Sequence, residues 1–470
     1  MTNHNLTQVL QTFSKKEWKE LRKWLQSPVH NQREDVLRLF DFISDQEVSN
    51  SLEQVDKEAA YRFTYPETPY DDAKFRQVVH FLFKSVEEYL LYQEIRKDPV
   101  HTSRVIASVY SKRQLPKFFE RAIRLSKETL EEHPFRNGAY LRSDYLLQQE
   151  IYSFSSRQQR NTLLNLQEAS DALDVTFVAD KLRQCCLMLS HQSVYKTDYR
   201  MGFLEEVLRY VETHDLLELP AIAMYYYSYK AIAERDNENH FKSLKSHLLL
   251  YGHLFPPLEI RDIYILAINY CNFRINKGAS AYVSESFELY QRGIETGALI
   301  ENGEISRWTF RNAVAVGLRH KAFSWVEAFI RDYAAFLNVK HREGYTRFNL
   351  AKLYFEKKDY SQAMQMLSTF ELNDDILVTL NAKAMLLKML YEEGEYDALE
   401  SLLNSLGTYL LRKELMGYHK AHYKLMVRFT KKLLRISPYS HQQRQKLSQE
   451  IRETEAFTEK EWFLEQLGKS

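Results

Sequence analysis

The chain has 470 residues but only 13 glycines and 10 prolines, well below the average usage of roughly 7% and 5%. That scarcity argues against a β-rich fold, which needs glycine and asparagine at its many tight turns. Lys plus Arg total 64 and Asp plus Glu total 63, so net charge gives no ground for a whole-protein nucleic-acid or membrane partner.

The elements then read as follows in chain order. "MTNHNLTQVLQTF" has no basic start followed by an apolar core, so no secretory signal is expected. In "FSKKEWKELRKWL", Ser14 and Glu17 have capping-box spacing, and Phe13 can staple onto Trp18. Trp18, Leu21, Trp24 and Leu25 share one helical face, and Pro28 stops the helix. "NQREDVLRLFDFI" repeats this logic with Asn31 and Glu34 as a second box. "VDKEAAYRF" is a third helix, and a loop carrying Pro66 and Pro69 follows it. Asp71 or Asp72 then caps a long helix that ends near Lys97. Residues 1–97 are expected to form a small helical N-terminal domain, with "KDPV" as its boundary.

From about 101 to 440 the pattern is helix after helix joined by short polar turns, which favours antiparallel neighbours. Residues 98–200 read as a helical linker or early divergent hairpins, 201–440 as repeats and 441–470 as a C-terminal capping helix. No convincing strand pattern appears, and "RGIETGALIENGEIS" at 292–306 is the longest irregular stretch. No apolar run approaches 18 residues, so no membrane span is expected. Cys185, Cys186 and Cys271 form no ladder of spaced pairs, which suits a reducing compartment. A cytoplasmic location is therefore expected.

One joint recurs. "YEEGEYDALESLL" carries Tyr396, "KKDYSQAMQML" carries Tyr360 and "HKAFSWVEAFI" carries Phe323, at steps of 36 and 37 residues. A period in the mid-thirties is the signature of stacked helical hairpins. The unit "YTRFNLAKLYFEKKDYSQAMQMLSTF" resembles the tetratricopeptide repeat: Leu350 and Ala351 match its large-then-small pair, Tyr354 its later aromatic, Tyr360 the joint aromatic and Ala363 the small residue of the second helix. The copies around 307–335 and 380–405 depart from the pattern, with Val326, Leu387 and Leu399 at small-residue positions. The chain also resembles long bacterial helical-repeat proteins, a likeness that supplies no activity. These resemblances imply an all-α fold: a right-handed superhelix of antiparallel helical hairpins, a tetratricopeptide-like α-solenoid, behind the small N-terminal domain. Tyr360 and Tyr396 are then expected to wedge their turns. "FTEKEWFLEQL" echoes the opening of the chain through Phe457, Thr458, Glu461 and Trp462. It is either a second use of one good helix start or a helix that closes the array.

Catalytic and cofactor signatures are absent: no GxGxxG, no GxxxxGK[ST] and no HExxH. His240, His247 and His253, and the pair His419 and His422, lack a spaced carboxylate or thiol to complete a metal site. Cys185 and Cys186 read as buried thiols, and the tyrosines of "MYYYSYKAI" as packing on several sides of a helix. Neither cofactor nor enzyme activity is expected.

Two binding surfaces remain. In tetratricopeptide proteins the first helix of each hairpin lines the groove, and the resemblance carries that role to Arg311, Asn312, Tyr345, Asn349, Lys352, Asn381 and Lys388. Ordinary exposed polar positions are the alternative for this set. Between 411 and 446 there are ten basic residues and one acid, Glu414. Lys420, Lys424, Arg428, Lys431 and Arg435 form one helical stripe, with Tyr418, Leu425, Phe429 and Leu433 opposite. A solvated face balanced by acids such as Glu392, Glu393 and Glu395, an anionic protein partner, and nucleic-acid phosphates are the three readings of that stripe. The expected function is a protein-interaction scaffold that binds a peptide or protein in its groove. A regulator that touches nucleic acid through the basic helix is the alternative.

Overall fold

The computed structural model describes residues 5–48, 56–158, 163–195, 197–368, 370–372, 375–412, 417–436, 440–454, 457 and 459–468. Over these residues the protein is all-helical apart from one small two-stranded hairpin. The chain divides into two compact units, Met1–Asp180 and Lys181–Ser470.

In the first unit, α1 (Asn5–Leu10), α2 (Lys15–Gln26), α3 (Glu34–Val48), α4 (Lys57–Thr64) and α5 (Asp72–Lys97) enclose one core around Leu21, Phe40, Tyr61, Leu82 and Tyr89. The Ser14 N–H donates to Glu17 Oε2 at 2.7 Å, and the Glu17 N–H donates back to Ser14 Oγ at 3.3 Å. The Phe13 and Trp18 rings meet edge-on with centroids 6.3 Å apart. The second expected box does not form. Asn31 donates to the carbonyls of Leu25 and Arg33 and accepts from the Arg33 N–H, so its amide stitches the α2–α3 turn and is not free to cap α3. Asp71 caps α5 through the N–H groups of Ala73 and Lys74. Asp98 alone separates α5 from α6 (Pro99–Lys112), and it caps α6 through the His101 N–H at 2.9 Å. α7 (Pro116–Glu131) and α8 (Gly138–Gln158) build a second core with α6 around Ala107, Phe119, Ile123, Leu147 and Phe154. α9 (Leu166–Tyr195) follows, and its residues to Asp180 belong to this unit.

The second unit opens with the rest of α9. It continues through α10 (Leu204–Thr213), α11 (Pro220–Ala233), α12 (Glu238–Tyr251), α13 (Pro257–Asn276) and α14 (Tyr282–Glu295). β1 (Ile300–Glu301) then pairs antiparallel with β2 (Glu304–Ile305) around Asn302 and Gly303, both with positive φ. This Asn-Gly hairpin occupies the stretch expected to be irregular; strands of two residues are too short to show alternation. The remaining helices are α15 (Arg307–Arg319), α16 (Phe323–Tyr333), α17 (Val339–Glu356), α18 (Tyr360–Leu367), α19 (Ile376–Glu392), α20 (Tyr396–Arg412), α21 (Gly417–Arg435), α22 (His441–Glu453) and α23 (Lys460–Gly468). From α11 onward each helix packs on the next, and α11 on α13, α15 on α17 and α17 on α19 also touch.

Among the described residues the joint is one motif used five times. Gln114, Gly278, Lys321, Lys358 and Gly394 all take positive φ, between 58° and 93°. At each, the following residue's N–H reaches back five residues to a carbonyl: Leu115 to Tyr110, Ala279 to Arg274, Ala322 to Gly317, Asp359 to Tyr354 and Glu395 to Leu390. This is the Schellman closure of a helix end, in which a left-handed residue lets two otherwise orphaned carbonyls be satisfied.

The aromatic that follows is less uniform. Tyr360 is buried as expected, and its hydroxyl donates to Glu392 at 2.7 Å. Tyr396 is 53% exposed, so it does not wedge its turn. Ala351 and Ala363 let α17 and α18 approach closely. In the next hairpin the larger side chains of Leu387 and Leu399 fill those places and are fully buried. A continuous core runs from Leu380 and Leu403 through Phe429 and Ile451 to Phe463, tying α19–α23 together. Of the expected C-terminal box, Thr458 lies outside the described residues. Trp462 packs edge-on to Tyr391, and its Nε1 donates to Glu392 at 2.8 Å.

Candidate functional site

The seven expected groove residues lie on α15, α17 and α19 and separate into three environments. Arg311, Asn312 and Lys352 are partly exposed on adjacent helices. The Arg311 guanidinium lies 4.8 Å from the centre of the Trp308 ring, and Arg307 lies over the same ring at 5.0 Å. Trp308 itself is 48% exposed. Burial pushes the Lys352 ammonium below its ordinary value; Glu356 opposes the shift and Arg311 adds to it. No carboxylate among the described residues forms an ion pair with Lys352 or Arg311. Asn312 faces the Tyr290 hydroxyl, whose pKa burial pushes up to about 12.

Tyr345 and Asn349 are interior residues, a correction to the expected groove. Tyr345 donates its hydroxyl to Asp375 Oδ2 at 2.6 Å, and Asn349 Nδ2 donates to the Tyr345 carbonyl at 2.7 Å. Both side chains are fully buried. Asn349 Oδ1 meets no donor among the described residues. Both residues lie on α17, which is flanked by α15 and α19 and buries more of its circumference than one stripe.

Asn381 and Lys388 have partners in the chain's own C-terminal helices, although Asn381 remains exposed and Lys388 is half-buried. Tyr423 on α21 donates to Asn381 Oδ1 at 2.9 Å. Lys388 pairs with Glu459 just before α23, and its ammonium lies 5.8 Å from the Trp462 ring centre. Arg311, Asn312 and Lys352 on α15 and α17 keep open surface and have no partner in the C-terminal helices among the described residues.

Beside them is a hollow of about 810 Å³ that the sequence reading missed. Trp308, Arg307, Asn338 and His341 line it with Arg261 and Glu301. It lies where the β1–β2 hairpin meets the first turns of α15 and α17, which are capped by Ser306 and Asn338. The Asn-Gly turn was the available signal. A second hollow, about 330 Å³, lies among α9, α11 and α13. The buried hydroxyls of Tyr225 and Ser228 on its wall have no hydrogen-bond partner among the described residues.

The basic stripe on α21 is partly neutralised within the fold. Arg428 and Lys432 both pair with Glu450 on α22, the latter at 2.6 Å. The counter-ion is thus Glu450 and not the acids near the α19–α20 joint; Glu392 is taken up by Tyr360, Lys358 and Trp462. Lys424, Lys431 and Arg435 are exposed, and Lys420 is half-buried. Phe429 and Leu433 face the core as expected, with Leu425 packed against it. Glu414 and the side chains of Tyr418 and His419 lie outside the described residues.

Other candidate chemistry is structural. Cys185, Cys186 and Cys271 are buried free thiols, and burial pushes their pKa values up. Tyr226 donates to Glu212 at 2.6 Å within the packing. His240 pairs with Glu234, and His247 meets the Ser243 carbonyl. Among the described residues no cluster of His, Cys, Asp and Glu is placed to hold a metal ion, and no helix is long and apolar enough to cross a membrane. No family model, no curated protein and no solved structure matches the chain.

Proposed function

We propose that this chain is a non-enzymatic binding protein of the cytoplasm. In this reading α11–α20 form a tetratricopeptide-like superhelix of antiparallel hairpins, and its first-helix face holds a protein or peptide partner. The contacts of α11 with α13, α15 with α17 and α17 with α19 support the stacking. The observation that carries the partner class is the pair Arg311 and Lys352. They are two cations on adjacent helices with no carboxylate paired to either, beside the exposed ring of Trp308. An acidic segment supplies the missing counter-charge, and the ring offers an apolar anchor of the kind that dominates interfaces.

The test is retention of a peptide library by the immobilised protein. Asp/Glu-rich peptides should bind the wild type and lose at least about tenfold in affinity to an Arg311→Gln/Lys352→Met variant, since each lost charge-assisted bond weakens binding by about 1.5–3 kcal/mol. Equal retention by both proteins, with unchanged circular dichroism, sinks the assignment. Polyanion binding through α21 is the second reading. Exposed Lys424, Lys431 and Arg435 favour it, and it predicts retention of mixed RNA that falls steeply with salt.

A further inference from the structure

The α6–α7 hairpin has two contrasting surfaces. Its inner side is closed by small residues: Ser103, Ala107 and Ser111 of α6 meet Ala122 and Ser126 of α7, and Ser126 Oγ donates to Ser103 Oγ at 2.8 Å. Outside that seam the hairpin is open and strongly apolar. Val105 is 39% exposed, Ile106 42%, Val109 37%, Phe118 52% and Leu125 54%. The Tyr110 and Phe118 rings, 5.5 Å apart, join the two helices' outer faces into one surface.

Cations are interleaved with these side chains. Residues 99–127 contain seven Lys or Arg and a single acid, Glu120. None of the seven takes part in an ion pair among the described residues. A face that only meets water has no need of exposed valine, isoleucine, leucine and phenylalanine at helical spacing. Phosphate backbones are met by cations with stacking aromatics or polar groups, not by aliphatic ridges. The matching occupant is both acidic and apolar.

The same unit carries such a face. Between Leu163 and Asp180 there are four acids and no Lys or Arg. Leu166, Leu173 and Phe177, at steps of seven and four, share one side of α9 and are 55%, 45% and 49% exposed. Asp171 and Asp174 flank them, exposed and without an ion pair among the described residues. Both faces are open within one chain, so they are not paired with each other there.

We propose that the α6–α7 face of one chain docks on the α9 face of a second copy. The apolar ridges supply the contact, and Arg113, Arg121 and Arg124 meet Asp171 and Asp174. Two different patches meeting in this way is a heterologous contact, which closes as a reciprocal pair or a ring or else extends as a filament.

The test uses the full chain in analytical ultracentrifugation at about 10 µM and at low and high salt, the regime in which a charge-steered contact weakens with screening. The wild type should associate at low salt and dissociate at high salt. Arg113→Glu/Arg121→Glu should be monomeric, and so should Asp171→Lys/Asp174→Lys. An equimolar mixture of the two variants should associate again, because each pair of faces is then complementary; this recovery also shows that both variants are folded. A wild type that stays monomeric at low salt overturns the proposal, as does association unaffected by either double substitution. Binding of phosphatidylserine vesicles lost in the arginine variant, with the chain monomeric throughout, overturns it by assigning the face to lipid.

Discussion

Tyr345 on α17 donates its hydroxyl proton to the Asp375 carboxylate 2.6 Å away, and Asp375 in turn accepts the Val378 N–H at the start of α19. One buried phenol thus connects two successive hairpins through a helix cap. Burial and the neighbouring carboxylate both push the Tyr345 pKa up, so it stays a donor across the usable pH range. Tyr345→Phe removes the donor and leaves a carboxylate 8% exposed with one fewer partner. The expected loss is about 1–3 kcal/mol of stability. Urea denaturation measures it, and binding of an acidic peptide at Arg311 should be unaffected. A loss of binding equal to that of Arg311→Gln would return Tyr345 to the groove.

The five left-handed joints make a paired prediction. Lys321 holds φ 60° with a Cβ that the left-handed region penalises, whereas Gly394 holds φ 76° without one. Lys321→Gly should raise stability by a few tenths to about 1 kcal/mol, and Gly394→Ala should lower it by about 1 kcal/mol. Lys321 suits the test because its side chain makes no hydrogen bond or ion pair, whereas Lys358 reaches Tyr360 and Glu392. Thermal melts of the two variants should move in opposite directions. Movement in the same direction would mean that the joint's backbone is not what the substitutions change.

This motif also shows where sequence reading stops. Gly394 advertises its own turn, but Gln114, Lys321 and Lys358 adopt the same conformation without the residue type that signals it. The period was legible because an aromatic follows each joint at steps of 37 and 36 residues, and the N-terminal cap was legible because both partners lie within four residues. The partner of Tyr345 lies 30 residues away and that of Lys388 lies 71 away. No local pattern encodes such pairs, so a polar residue on the correct helix face cannot be sorted into open, buried or covered. The α6–α7 surface stayed hidden for a related reason. An amphipathic helix with apolar residues on two sides reads as deeply buried until its neighbours are known.

Glu450 offers a pH test of the α21–α22 contact. Hydrogen bonds from Lys432 and Arg428 hold its carboxyl below the usual range, against a smaller effect of burial. A lowered folded-state pKa stabilises the fold above the unfolded value of 4.5, and the stabilisation is lost as pH falls through the folded value. The cations are about half exposed, so the effect is screened and amounts to about 0.5 kcal/mol. Glu450→Gln should be that much less stable at pH 7 and equal to the wild type once both are below the folded pKa. The same variant frees two cations and should increase retention of mixed RNA if α21 is a polyanion site. Unchanged retention would favour the solvated face.

Lys352 separates stability from binding. Its ammonium is held on α17 with Arg311 nearby and no paired carboxylate, so the charged form is less comfortable in the folded state than in the unfolded chain. Far below the folded-state pKa both states are protonated and the full penalty applies. As pH rises through that lowered value the folded state sheds its proton first, and stability climbs until the ordinary value of 10.5 is passed. Lys352→Met keeps the apolar stem and removes the charge. Because the side chain is partly exposed and can reach water, the gain should be modest, about 1 kcal/mol at pH 7. That gain should shrink toward zero as pH approaches 10, which urea denaturation at several pH values checks. An acidic partner seated on Lys352 reverses the balance by supplying the missing counter-charge. The same substitution should therefore weaken peptide binding while it strengthens the fold, as expected of a residue kept for its partner and not for packing. A variant that loses stability at pH 7 would show that Lys352 already has its counter-charge inside the chain.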